Sequence, residues 1–293
     1  MRIIPRVLAG RVEPTPMADV TIRALTDIES LRRIEDLQIE IWGMPERDIV
    51  PVHQLKAASG AGGAVLAAYD ADGALVGFCY GFAGWRSGRP LFYSHMAGVR
   101  GGRQLQDIGF RLKCAQREAA LAMGYDHAVW TYDPLQSVNA RFNLRKLGAA
   151  AVRYYVNYYG TMSDAINRDL DSDRLEVDWA LRAARVAAAT AGRPVERAWG
   201  PAPRALEAVP WPSGVGPSDP VLDLEAPVIL IEIPTDFPEL RSRDQGLARA
   251  WRLATRGAFQ RYLARGYRAV DFVLRQGERL RGDYVLTRGT DED

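Results

Sequence analysis

The sequence is short of most features that would assign it quickly. Cysteine occurs twice in 293 residues, at Cys79 and Cys114, without the spacing of a metal knuckle or the density of a disulfide-stapled secreted scaffold. Both fall in segments that read as a strand and a helix, where a thiol behaves as a small buried apolar group. No stretch approaches the ~18 apolar residues that cross a bilayer. Met1 to Gly10 has two basic residues and a short apolar run but lacks the longer hydrophobic stretch and small-residue cleavage site expected of a signal peptide. Net charge is nearly absent too: 38 basic residues against 36 acidic ones leave +2, so no global field recruits nucleic acid or an acidic membrane. Any anion site must be local. The expectation is a cytoplasmic protein without a bound metal, nucleic acid or membrane partner.

What is present suits a soluble globular chain: 47% hydrophobic and 25% charged residues, in a length that accommodates one large or two modest domains. Lysine occurs only at Lys56, Lys113 and Lys146, an arginine bias that compositional drift in the genome would produce by itself. Val20 to Arg23 reads as a strand, and a helix follows from Asp27 with Leu31, Ile34, Leu37, Ile41 and Trp42 at helical spacing. Ala64 to Tyr69 and Leu75 to Ala83 are strands joined by the hairpin signal Asp70-Ala71-Asp72-Gly73, and Leu91 to Val99 is another. A helix ending at Gly124 comes next, with Ile108, Leu112, Ala115, Ala119 and Ala122 on its apolar face and Lys113 among the polar residues of the others. Ala128 to Tyr132 is a strand, Asn139 to Leu147 a short helix, and Ala150 to Tyr159 an aromatic-rich strand pair.

The composition then shifts. Between Gly192 and Pro227 lie eight of the 17 prolines, whose missing amide donors exclude a long helix or a central strand. Beyond come a strand at Val228 to Ile233, a helix with Leu247, Trp251, Ala254, Ala258 and Tyr262 on one face, and a strand at Ala269 to Leu274. This order repeats the earlier strand, helix, Gly-Tyr, strand, as either a degenerate half-repeat or the common look of such units. The expected organisation is therefore a domain over 1–190, a Pro-rich linker or crossover over 191–227 and an α/β unit over 228–293.

The segment with the most chemistry is Leu91 to Gly109, a strand followed by Arg100-Gly101-Gly102-Arg103-Gln104-Leu105-Gln106-Asp107-Ile108-Gly109 and a helix. Backbone N–H groups at a helix N-terminus favour a phosphate-bearing ligand, and Arg100 and Arg103 add charge beside them. This segment resembles the pyrophosphate loop of the GNAT superfamily of acyl-coenzyme A dependent N-acyltransferases, (Arg or Gln)-x-x-Gly-x-(Gly or Ala) after a strand ending in Val. Gln104 and Gly109 match its ends and Val99 closes the strand, while Asp107 occupies the central glycine position. The run Trp130-Thr131-Tyr132-Asp133-Pro134-Leu135, Asn139 to Leu144 and Lys146-Leu147-Gly148-Ala149, with Asn157-Tyr158-Tyr159-Gly160 and Asp173-Arg174, is similar to a bacterial subgroup of predicted acetyltransferases that carry a C-terminal extension.

The resemblance implies a mixed, mostly antiparallel α/β sheet splayed at its centre and flanked by helices. It also implies acyl-coenzyme A (acetyl or succinyl-like) as co-substrate, held by Met96, Ala97, Val99, Arg103, Gln104, Gly109 and Asn139. His95 lies on the strand along which the acyl-pantetheine arm runs in the family, and imidazole titrates near neutrality, so it is the preferred base for an attacking amine; the alternative is a hydrogen-bonded core histidine. Many members protonate the departing thiolate with a Tyr whose counterpart here is Leu144. Tyr154, Tyr155, Tyr158 or Tyr159 could supply a phenol instead, and Tyr155 is the candidate. Asp133 and Arg141 are candidate acceptor-binding residues, or a turn residue and its neighbour. The expected activity is N-acylation of a small amine such as an amino acid. The alternatives are a non-catalytic acyl-coenzyme A binding module and a protein or peptide acetyltransferase, and a homodimer is compatible with each.

Overall fold

The computed structural model describes residues 20–101, 107–160, 170–193, 197–277 and 279–289. Two compact units divide after Ala128. Both are mixed α/β, with mostly antiparallel strands flanked by helices, as expected.

In the first unit β1 (Thr21–Ala24), β2 (Ala64–Tyr69), β3 (Leu75–Arg86) and β4 (Arg89–Val99) lie side by side, each antiparallel to the next. Asp70 makes the first hairpin, its side chain accepting from Ala74 N (2.9 Å). Ser87 and Gly88, both at positive φ, make the second, between the paired residues Arg86 and Arg89. Trp85 stands 72% exposed beside that turn, at the hairpin tip.

One face of these strands is covered by α1 (Ile28–Trp42) and α2 (Val52–Gly60). Leu31, Ile34, Leu37, Val52, Leu55 and Ala58 pack with Val65, Ala67, Phe78 and Tyr80 in one cluster. Burying each of the larger side chains contributes about 1.5–3 kcal/mol. Asp27 caps α1 by accepting from Ser30 N (2.8 Å), and Gly43 closes it in the left-handed conformation. Helix α2 was not foreseen, because its nine residues carry too little apolar periodicity. The buried Gln38 side chain holds its approach, accepting from Val50 N (2.7 Å) and donating to Val50 O (3.1 Å).

The opposite face is covered by α3 (Ile108–Ala122), where a Cβ on Gly77 would meet Leu112 and Ile108 at 3.3 and 3.4 Å. The expected face of this helix is corrected. Ile108, Leu112, Lys113, Gln116 and Ala120 turn inward, while Ala122 is exposed. Alanines on several sides hid the orientation, and charge type placed Lys113 wrongly outside.

In the second unit the strand order is β5 (His127–Tyr132), β7 (Arg174–Ala180), β6 (Ala150–Tyr155), β12 (Arg268–Arg275), β13 (Arg281–Thr287), β11 (Val228–Ile233) and β8 (Arg204–Leu206). The residues of β5 from Val129 onward belong to it. A separate hairpin pairs β9 (Ala208–Trp211) with β10 (Gly214–Pro217). The helices are α4 (Ser137–Ala140), continued by a π-helical turn Arg141–Lys146, then α5 (Ala184–Thr190), α6 (Phe237–Arg243) and α7 (Gln245–Ala264). Strand β6 stops at Tyr155 and pairs with β7, so the expected strand pair within Ala150 to Tyr159 is corrected: Tyr158 and Tyr159 lie in the following turn.

The Pro-rich segment forms short strands, β8 at the sheet edge and the β9–β10 hairpin, where an absent amide donor is tolerated. Its end is pinned along α7 and beyond by Tyr262 Oη donating to Val221 O (2.7 Å) and Tyr267 Oη to Ala226 O (2.7 Å). Strands β11 and β12, which bracket the apparent repeat, are separated by β13. Phe259 of α7 packs edge-on against Tyr284 (5.0 Å) and stacks on Tyr154 (5.9 Å).

Candidate active site

The β3–β4 ladder changes register beside His95. Tyr80 pairs with Met96 and Gly81 with Ser94, so His95 is the extra residue of a β-bulge. Gly81 is required opposite it: a Cβ there would lie 2.2 Å from the Phe92 ring and 2.8 Å from Tyr93 O. Such a bulge interrupts the ladder and re-aims a side chain, and here that side chain is the one titratable ring foreseen as a base.

His95 projects among aromatic rings. Tyr80 meets it edge-on at 5.9 Å, Phe82 lies at 5.9 Å and Tyr93 at 6.2 Å, with Phe82 and Tyr93 stacked at 5.1 Å. Tyr80 Oη accepts from Gln54 Nε2 (3.4 Å), the polar contact of this stripe with α2. Part of the imidazole remains open to solvent, but the rings strip water from its flanks and hold its pKa below the usual value of 6.5. It is therefore neutral at physiological pH and able to accept a proton. Met96 and Ala97 follow on the same strand, half-buried and exposed respectively.

At the N-terminus of α3, Asp107 sits in the left-handed region at φ 56° and its side chain does not cap the helix. The resemblance places glycine at this position, and the backbone explains why: αL is glycine's conformation, and Asp is among the few other residues that adopt it readily. Among the described residues a Cβ on Gly109 would meet only Val99, at 3.8 Å, so their packing does not demand glycine there. Arg100, foreseen as charge beside this turn, instead forks onto Glu40 of α1 (2.7 and 2.8 Å). Arg103 and Gln104 lie outside the described residues.

Behind the bulge is a polar cluster that sequence reasoning missed. Ser94 Oγ donates to Gln116 Oε1 (2.8 Å), and Lys113 Nζ donates to both Ser94 Oγ (2.9 Å) and Gln116 Oε1 (2.8 Å). All three side chains are at most 4% exposed, and among the described residues Gln116 Nε2 has no partner. Burial pulls the Lys113 pKa down to about 7, against 10.5 when free, and pushes the neighbouring Cys79 thiol up to about 12. Above pH 7 the folded protein loses a proton that the unfolded chain keeps, so stability should rise with pH from about 7 to about 9, by up to ~1.4 kcal/mol per unit. Beyond the ordinary thiol pKa near 9 the raised Cys79 value opposes the gain. Denaturant titrations of the wild type and Lys113→Met check this: the variant should lose the slope.

Two candidates of the second unit, Tyr155 and Asp133, are engaged in hydrogen bonds. Tyr155 Oη donates to Glu176 Oε2 (3.1 Å) and accepts from Arg153 Nη1 (3.2 Å), while Tyr154 Oη donates to Asp173 (2.7 Å). Asp133 receives a bidentate pair from Arg252 (2.7 and 2.8 Å), with side chains 11% and 3% exposed, and also accepts from Leu135 N (2.9 Å). Burial raises the Asp133 pKa, but the guanidinium outweighs it and holds the carboxyl below its ordinary value. Asn139 is half-buried on α4, and Arg141 is exposed at the start of the π-helical turn. Leu144 is buried in that turn, and its neighbour Asn143 accepts from Trp130 Nε1 (3.2 Å). Among the described residues no helix is long and apolar enough to cross a membrane.

No family model matches the chain, and no curated protein does. Solved structures do. A GNAT-family acetyltransferase from Streptococcus pneumoniae matches with 11% identity over 55% of this chain and 98% of its own, TM-score 0.44. A candidate acetyltransferase from Salmonella typhimurium, solved with its cofactor acetyl-CoA, matches with 17% identity over 56% and 95%, TM-score 0.44. An aminoglycoside 6'-acetyltransferase type Ii matches with 18% identity over 55% and 97%, TM-score 0.42. The structural neighbours of this chain are thus GNAT-family acetyltransferases, over about 55% of its length.

Proposed function

We propose that the chain is an acyl-coenzyme A dependent N-acyltransferase whose acceptor is a small amine. The observation that carries this reading is the bulge at His95: it presents a neutral imidazole from the strand that precedes, in sequence, the segment resembling a pyrophosphate loop and the N-terminus of α3. Residues at that helix start suit the cofactor, since among the described residues Gly109 leaves room for close approach, and Asp107 adopts the left-handed backbone that glycine, the residue of the resembled motif at this position, takes most readily. Arg103, Gln104 and Asn139 are the further cofactor residues in this proposal, with Met96, Ala97 and Val99 along the pantetheine arm.

In the reaction the amine nitrogen bonds to the thioester carbonyl carbon while His95 takes the amine proton. The carbon–sulfur bond then breaks, and the thiolate leaves with a proton supplied by a phenol or water. Tyr155 is the proposed phenol, because its exchange with Glu176 and Arg153 gives it a route for reprotonation. The aromatic stripe of Phe82 and Tyr93 favours an amine attached to an apolar or aromatic body. Asp133, held by Arg252, would act on the acceptor only by shaping the β5–α4 turn, leaving Arg141 as the exposed candidate for an acceptor carboxylate.

A second reading is favoured by Leu144, an apolar side chain where many relatives of this type carry their proton donor: a module that binds acyl-coenzyme A without turnover. Thiol release from acetyl- and succinyl-coenzyme A over a panel of small amines, free amino acids and peptides separates the readings. Turnover with small amines is expected. Stoichiometric binding without free thiol would establish the module instead, and a preference for peptides would overturn the small-acceptor assignment.

A further inference from the structure

Ser94 immediately precedes the bulge residue, and strand alternation sends its side chain to the face opposite the aromatic stripe, toward α3. There it meets a Lys and a Gln that are both buried. A desolvated lysine is costly, and an apolar trio of similar volume would pack this position at least as well. What the polar trio adds is register. A bulge that slips by one residue turns every following side chain to the other face of the strand. Here a slip would also carry the Ser94 hydroxyl away from Lys113 Nζ and Gln116 Oε1, so that the buried Lys113–Gln116 pair loses this third polar group. Gly81 adds a steric limit on the same register from β3.

We infer that Lys113 and Gln116 are positioning residues: through the Ser94 hydroxyl they fix the β4 bulge that presents His95. The inference rests on the acyl-transfer reading for its kinetic consequence, but not for its structural one. It also explains why a lysine is retained at an inward position of α3, the helix whose N-terminus is the proposed cofactor cradle. One helix would then set both the cofactor's phosphate end and the geometry of the base.

The test uses the full chain with Ser94→Ala, Lys113→Met and Ser94→Thr, the last keeping the hydroxyl. His95 ring resonances are followed by NMR, with kcat and KM for acyl-coenzyme A measured alongside. The alanine and methionine variants should shift the His95 signals or split them into two sets. They should lower kcat at least ~10-fold, a fraction of what ~1 Å of misplacement costs, while KM stays within about twofold. The threonine variant should retain most of the activity, and the double variant Ser94→Ala/Lys113→Met should be no worse than the weaker single. Folded Ser94→Ala and Lys113→Met with unchanged His95 signals would overturn the inference. So would a kcat loss that merely follows a lower melting temperature. If the wild type shows no turnover, the acyl-transfer reading fails, and the His95 resonances still decide whether the trio holds the bulge.

Discussion

His95→Ala is expected to slow amine acylation by about 10²–10³-fold while leaving acyl-coenzyme A binding within about twofold, the loss typical of removing a general base from a site that keeps its substrate contacts. The pH profile carries a second signature. Packing among Tyr80, Phe82 and Tyr93 lowers the imidazole pKa, so the proton-accepting form is already dominant at neutrality. Once corrected for the free-amine fraction of the substrate, kcat should be flat through pH 7 and fall only as the pH drops through a value below 6.5. His95→Ala should abolish that limb. A wild-type inflection above 6.5, or an alanine variant with full activity, contradicts the assignment.

The second large effect concerns stability. Arg252→Met would leave the buried carboxylate of Asp133 without its bidentate partner, and breaking such a pair from one side costs about 3–5 kcal/mol. In a domain of this size that is a drop of roughly 10 °C in melting temperature. Pairing it with Asp133→Leu removes the orphaned charge, so the double variant should be more stable than Arg252→Met alone. It should not recover fully, because Asp133 also accepts from Leu135 N. A double variant no better than the single would show that the interaction is not an isolated pair. Its neighbours are close: Arg256 meets Asp173 (2.8 Å), which also accepts from Tyr154.

These effects also mark where the sequence could be read and where it could not. The strands β1 to β4 and helices α1 and α7 were legible because their apolar residues recur at the period of the element and their ends carry Asp, Gly or hairpin signals. His95 was legible as a candidate from its strand, but the bulge that distinguishes it was not. A bulge is a property of two paired strands, and its sequence trace is one glycine, Gly81, placed across from it. Lys113 was misplaced for the opposite reason: charge type predicts exposure for almost every lysine, and only tertiary packing shows the exception. Asp133 was read both as a turn residue and as an acceptor ligand. The turn reading is visible in its bond to Leu135, while its Arg252 partner lies 119 residues away and leaves no local signal. Helix α2 and strand β13 escaped notice because the first has weak periodicity and the second opens on Arg281-Gly282-Asp283 and carries an apolar run of only three residues, Tyr284 to Leu286.

The central claim is that the turn before α3 and the bulged strand leading into it serve one ligand, an acyl-coenzyme A. Titrating coenzyme A into isotopically labelled protein and following backbone amide resonances tests it most directly. The amides of Ile108, Gly109 and Phe110 are expected to move together with those of Met96 to Val99, saturating along one binding curve. Coenzyme A that binds elsewhere, or that leaves both segments unmoved, would contradict it.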